Sequence, residues 1–199
     1  AEDEINKLVD SLKADGLIIH INPLQELLQP EGDIYQKPPL ETILELLEKI
    51  DFPLFVKEVG QGMGPKSLDA LLETNIAGIE FGALGGTNFS LIELMRSDDM
   101  MYEQMSDLAS IGHSAPEMVE FLNHIPLSIV KEKQFIISGG VKPLTGFYLM
   151  QKLQAPSIIG MAFQFLKYAR EDYETLQKYV SIVKKTLELA NQFLHKPSV

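Results

Sequence analysis

At 199 residues, with 45% hydrophobic and 23% charged residues, the chain has the make-up of a globular protein large enough to bury a core within one domain. Cysteine is absent, which excludes disulfides and thiolate metal sites and agrees with a cytoplasmic location. The formal net charge of -11 argues against nucleic acid as a partner, and no apolar run is long enough to span a bilayer. An anionic small ligand stays open, because backbone N–H groups at helix N-termini hold phosphate whatever the global charge.

The chain opens AEDEINKLVD, without an initiator Met and as though already inside a helix, so residues upstream are expected to be missing. Ile5, Leu8, Val9 and Leu12 fall at helical spacing and predict a helix over 3–14. GLIIHI (16–21) is a short apolar run of buried-strand type, followed by a loop rich in Pro, Gly and acid at 30–39. An amphipathic helix over 40–50 and a strand PLFVKEV (53–59) come next, then a helix over 65–74 and a strand AGIEFGA (77–83). Residues 89–130 are mostly helical, broken near 112–114, where Ser114 and Glu117 form a capping box. QFIISGG (134–140) and SIIGM (157–161) are strands flanking a helix over 144–153. The end, 162–195, is one long helix or two in succession, with Tyr173, Leu176, Val180, Val183, Leu187 and Leu194 on one apolar stripe.

Strands alternating with helices imply parallel pairing with crossover helices. In each strand the polar or Gly-rich residues gather at the C-terminal end, which is the active face of a (β/α)8 barrel and also the crevice of an open sheet. A whole barrel runs to about 250 residues and eight strands, whereas five strands are legible here. The residues alone leave the open sheet and the barrel as alternatives; with the resemblance described below, the expected fold is α/β, a TIM-type barrel of which about five of eight βα units are present, forming a single partial domain over 1–199 with a helical extension at 163–199.

The first strand ends in HINPLQE. His20 and Asn22, two apart in a strand, face the same way, and Gln25 and Glu26 follow in the loop. Such a rim can hold a polar substrate, with Glu26 supplying an oxygen ligand to Mg²⁺. Spacing alone favours a satisfied core histidine, an Asn–Pro turn and a solvated Glu26. Lys57 lies in an apolar strand, where it either faces a cofactor or pairs with Glu58. GALGGTNF adds Gly85, Gly86 and Thr87, and any Gly-rich turn has that look. ISGGVKP and IIGMAFQF carry more weight together. Both put small residues at strand-to-helix junctions, Gly139 and Gly140 in one and Gly160 to Ala162 in the other, as barrels do to hold phosphate.

HINPLQE, QPEGD, VKEVG, GGTNF with the following Ile92, Glu93 and Arg96, SGG and GMA occur in an order that resembles type 2 isopentenyl-diphosphate isomerase, over roughly residues 14–170. HxNxxQE followed by QPEGD is the specific part; the rest is shared with flavin barrels generally. The resemblance implies an FMN-dependent barrel that interconverts isopentenyl and dimethylallyl diphosphate with Mg²⁺, its flavin reduced by NAD(P)H, and a homo-oligomeric assembly. Carried over, His20, Asn22 and Gln25 are similar to the substrate-pocket residues, Gln25 nearest the isomerising carbons. Glu26 resembles the Mg²⁺ ligand, Lys57 the lysine beside the flavin's pyrimidine edge, and Thr87 a flavin contact. Gly139, Gly140, Met161 and Ala162 resemble the FMN-phosphate cradle.

Where the family shows SGGIRxGxD this chain has SGGVKPLTG, so Val141, Lys142, Pro143 and Thr145 depart from the pattern. Pro143 removes a backbone donor where the phosphate helix begins, although Pro suits a first helical position. The family's N-terminal portion, which carries basic residues for the diphosphate and three further strands, has no counterpart in these residues. Two other readings are a non-catalytic FMN- or phosphate-binding fragment and a relative of the 2-hydroxy-acid oxidases. HxNxxQE is not the oxidase motif.

Overall fold

A computed structural model describes residues 2–32 and 36–194. Five apolar runs pair side by side, all parallel and in chain order: β1 (Leu17–Ile21), β2 (Leu54–Glu58), β3 (Gly78–Glu80), β4 (Gln134–Ile137) and β5 (Ser157–Ile159). Strictly sequential order with a helical crossover between neighbours is the topology of a barrel wall. The α/β class and the parallel order read from the sequence hold, and the sheet is compatible with part of a TIM-type barrel.

Helices α1 (Glu2–Leu12), α2 (Pro23–Leu28), α3 (Pro39–Leu47), α4 (Pro65–Leu72), α5 (Phe89–Arg96), α6 (Asp99–Met105), α7 (Ala115–Asn123), α8 (Leu127–Val130), α9 (Pro143–Leu153), α10 (Phe163–Ala169) and α11 (Tyr173–Leu194) fill the connections. A 3-10 turn covers Ser106–Ser110. The Ser114–Glu117 capping box starts α7 as expected. One detail differs from the sequence reading, and one alternative left open there is decided. The stretch after β1 is a helix, because Asn22 caps it and Pro23 takes its first position. The C-terminal segment is two helices, since the Asp172 carboxylate accepts from the Thr175 N–H at 2.7 Å and starts α11 afresh. Tyr173, expected on the apolar stripe, is 71% exposed, while Val183 is buried. Asp33 of QPEGD and His195 lie outside the described residues.

Alternate strand residues have different fates. Leu54, Val56, Ile79, Phe135 and Ile137 face the helices and are buried against Leu68, Met118, Leu122 and Leu149. The register aligns His20, Lys57, Glu80, Ile136 and Ile158 across the opposite face. None of those five residues is fully buried. No helix among the described residues is long and apolar enough to cross a membrane.

Candidate functional site

The turns that leave β2, β3, β4 and β5 surround a cleft of about 690 Å³. Two glycine-rich turns form its floor. Gly139 and Gly140 have φ of 104° and 74°, a conformation that side chains rarely adopt. A Cβ on Gly140 would stand 1.9 Å from the Gly85 carbonyl oxygen, and one on Gly139 would stand 2.2 Å from that of Ala83. The turns after β3 and β4 thus interlock backbone to backbone, and glycine is needed there with or without a ligand. Among the described residues, the N–H groups of Gly139, Gly140, Val141, Met161 and Ala162 donate no hydrogen bond. All five residues line the cleft, with Lys142 and Thr87 exposed at its rim. Unpaired N–H groups grouped at two adjacent strand-to-helix junctions are a donor set suited to a phosphate. Pro143 sits at the start of α9, where an N–H would have no helical partner in any case. The cradle is of a kind that could take a phosphate group.

On the cleft's inner wall the Ser138 hydroxyl accepts from the Gly82 N–H at 2.9 Å and donates to Glu80 Oε1 at 3.2 Å. Glu80 is therefore held in place, next in register to Lys57. The Lys57 ammonium makes no hydrogen bond or ion pair among the described residues, so the expected alternative of a Lys57–Glu58 pair is not formed. Burial, and then the neighbouring charge of Lys57, lower the His20 pKa against the opposing influence of Glu26. His20 is accordingly neutral at pH 7, able to donate from one ring nitrogen and accept at the other. Glu58 points to the helix side, where burial pushes its carboxyl up to about 7.

Asn22, 1% exposed, ties the end of β1 to that of β2. Its oxygen accepts from the Gln25 N–H at 3.0 Å, which caps α2, and its amide nitrogen donates to the Val59 carbonyl. Gln25, on the first turn of α2, donates from Nε2 to Glu93 Oε1 at 3.3 Å, and Gln29, one turn on, donates to the same oxygen at 3.2 Å. Glu93 is 7% exposed, and its other oxygen accepts from Arg96 at 2.7 Å. Glu26 sits between Gln25 and Leu27 on α2, close enough to His20 to influence its charge. No three His, Cys, Asp or Glu side chains converge into a metal cage among the described residues.

The residues singled out from sequence therefore form two neighbouring groups. Thr87, Gly139, Gly140, Met161 and Ala162 line the cleft; His20, Asn22, Gln25, Glu26 and Lys57 stand beside it, around the end of β1 and along the open sheet face. Glu80 and Gln61 were not singled out, and Ser138 and Glu93 were noted only as members of motifs. Glu80 carried a legible signal, an acid within an apolar strand and on the same parity as Lys57. Gln61 is 3% exposed and locks the turn after β2 to the next one, with Nε2 donating to the Ala109 carbonyl at 3.3 Å and Oε1 accepting from Ser90 at 3.3 Å.

No family model matches the chain. Among curated proteins it is similar to the isopentenyl-diphosphate delta-isomerase of Bdellovibrio bacteriovorus, 35% identical over 189 residues that make up 94% of this chain and 53% of that protein. The protein of the same name from Ignicoccus hospitalis is 30% identical over 193 residues, 94% of this chain and 52% of its own length. That of Nostoc sp. is 32% identical over 186 residues, 91% and 51% respectively. The chain spans about half the length of the curated relatives it matches. Along nearly all of its own length, then, this chain is a homologue of proteins named isopentenyl-diphosphate delta-isomerase, as the order of its motifs implies.

Proposed function

We propose that the protein interconverts isopentenyl and dimethylallyl diphosphate with FMN and Mg²⁺, and that the chain supplies the flavin-phosphate cradle and one wall of the substrate site. The observation that carries this reading is the group of unpaired N–H donors at the ends of β4 and β5, on a chain similar to named isomerases. Gly139, Gly140, Val141, Met161 and Ala162 would hold the FMN phosphate through backbone donors, with the Lys142 charge at the rim. Reduced by NAD(P)H, the flavin would supply proton-transfer chemistry to a reaction with no net redox change.

The chain's own residues supply position and charge. Lys57, on the open face and without a hydrogen-bond or ion-pair partner among the described residues, offers a cation to an anionic ring edge or a diphosphate. Neutral His20 offers a hydrogen bond without adding charge. Asn22 is spent on holding β1 and α2, so its role is to present Gln25. Glu26 would ligate Mg²⁺ together with substrate phosphates, the usual mode for a small hard cation that keeps part of its shell. The proposal includes a cytoplasmic location and a homo-oligomer; Ile182, Leu189 and Phe193 leave apolar surface on α11.

The test is an isomerase assay on the intact protein with FMN, a reductant and Mg²⁺, beside the flavin absorbance of the purified material. Isomerisation that requires all three supports the reading. Flavin bound without isomerisation leaves a phosphate-binding scaffold, and no flavin at all overturns the proposal.

A further inference from the structure

The Glu93 carboxylate is the point where two helices are tied together, and its partners are all donors. Oε1 takes the side-chain amides of Gln25 and Gln29 from α2, and Oε2 takes the Arg96 guanidinium one turn along α5. Arg96 reaches on to Glu31 Oε1 at 3.3 Å, beyond the end of α2. The order of these bonds has a direction. An ionised carboxylate can only accept, so it compels Gln25 to present Nε2. The Gln25 oxygen then accepts from Asn22 Nδ2 at 3.4 Å. A neutral or displaced Glu93 imposes no such choice, because a protonated carboxyl can donate and the amide can turn over.

We propose that Arg96 is a positioning residue: by keeping a charge partner on the buried Glu93 carboxylate it fixes the orientation of the Gln25 side-chain amide. The inference rests on the proposed function for its kinetic consequence, since only there does the Gln25 amide face substrate. Its structural half stands without that reading. A carboxylate that is 7% exposed and stripped of its cation loses the bond that holds it in place, and the two glutamine amides lose a fixed common acceptor. The Arg96–Glu31 pair is different. Both side chains are largely exposed, and that contact only steadies the guanidinium.

The experiment compares Arg96→Met, Arg96→Lys and Glu31→Gln in the intact protein, with the Gln25 side-chain amide followed by ¹⁵N NMR and assigned by its loss in Gln25→Ala. In Arg96→Met the Gln25 amide resonance shifts and exchanges faster with water. Turnover (kcat) falls on the order of tenfold to a hundredfold with KM little changed, the loss expected of a misplaced group. Arg96→Lys restores most of both, because it returns the charge without the fork, and Glu31→Gln leaves both near wild type. An unmoved Gln25 amide in Arg96→Met overturns the proposal whatever the kinetics do. So does a slow Arg96→Met that Lys fails to rescue. If Arg96→Met does not fold, Arg96→Lys against Arg96→Gln carries the same comparison. If the wild type does not isomerise, the functional reading fails separately, and the amide resonance alone decides the role of Arg96.

Discussion

The two faces of the sheet are written into alternate residues of the same five strands, and they do opposite things. On the helix side, Val56, Ile79 and Ile137 are 0% exposed and belong to one continuous core. On the other side, Ile18 and Ile158 are 41% and 61% exposed, in register with Phe55 and Ile136 and beside His20, Lys57 and Glu80. The closed face supplies stability through packing density, which tolerates little change. The other face, which would turn inward in a barrel, carries ionisable groups next to the cleft.

The contrast breaks most visibly with matched isoleucines. Ile79→Ala should cost about 2–5 kcal/mol, the range for a buried aliphatic that leaves a cavity, whereas Ile158→Ala should cost well under about 1 kcal/mol. Chemical denaturation of the pair measures both, and equal losses would show that the open face is packed as well. Gly140→Val tests the cleft floor. Its φ of 74° and the Gly85 oxygen 1.9 Å from the new Cβ predict a loss of about 3 kcal/mol or more, without removal of any side chain.

Glu58 is the one strand carboxylate directed into the closed face, and it sharpens the comparison through pH. Its folded pKa of about 7 lies above the usual carboxylate value of 4.5, so the folded state binds the proton more tightly than the unfolded chain does. Stability should therefore fall as pH rises between about 4.5 and 7, by up to about 3 kcal/mol, and level off above that. Glu58→Gln should flatten this slope and raise the melting temperature at pH 8 relative to wild type. A slope that persists in the variant would assign it to another group.

A smaller effect is expected at the opposite end of the strands. The half-buried Lys133 ammonium donates to the Thr74 and Ile76 carbonyls at 2.7 and 3.0 Å, closing the chain after α4. Lys133→Met should cost about 1–3 kcal/mol by leaving those carbonyls without their charged donor. It should leave ligand binding untouched, because no cleft residue is involved. Altered flavin affinity in that variant would couple the two ends of the sheet.

Much of this was legible in the sequence, for physical reasons that differ from element to element. Strand order followed from apolar runs alternating with helical stretches, since each crossover helix needs both faces of its neighbours. The glycine pairs at 139–140 and 85–86 were legible as close approaches, although the backbone that approaches belongs to the neighbouring turn as much as to a ligand. The six-residue α2 was missed because Asn22 and Pro23 signal a turn and a helix start equally well, and the following residues are too few to show a period. Glu93 was quoted within a motif but not seen as a hub. Its amide partners lie 68 and 64 residues away, and nothing local marks a helical glutamate as buried. Long-range polar pairing is a property of the fold, whereas caps and apolar periods are properties of the segment.

The central claim, that the open cleft takes the phosphate of a flavin through backbone donors, is tested most directly by titrating the intact protein with FMN and with riboflavin, following flavin fluorescence. The account predicts stoichiometric FMN binding and riboflavin binding weaker by about tenfold or more, the equivalent of at least one charge-assisted hydrogen bond. It also predicts that Ala162→Glu, which sets a carboxylate among the cleft donors, abolishes FMN binding while leaving the fold intact. Equal affinity for FMN and riboflavin, or FMN binding that survives Ala162→Glu, would contradict it.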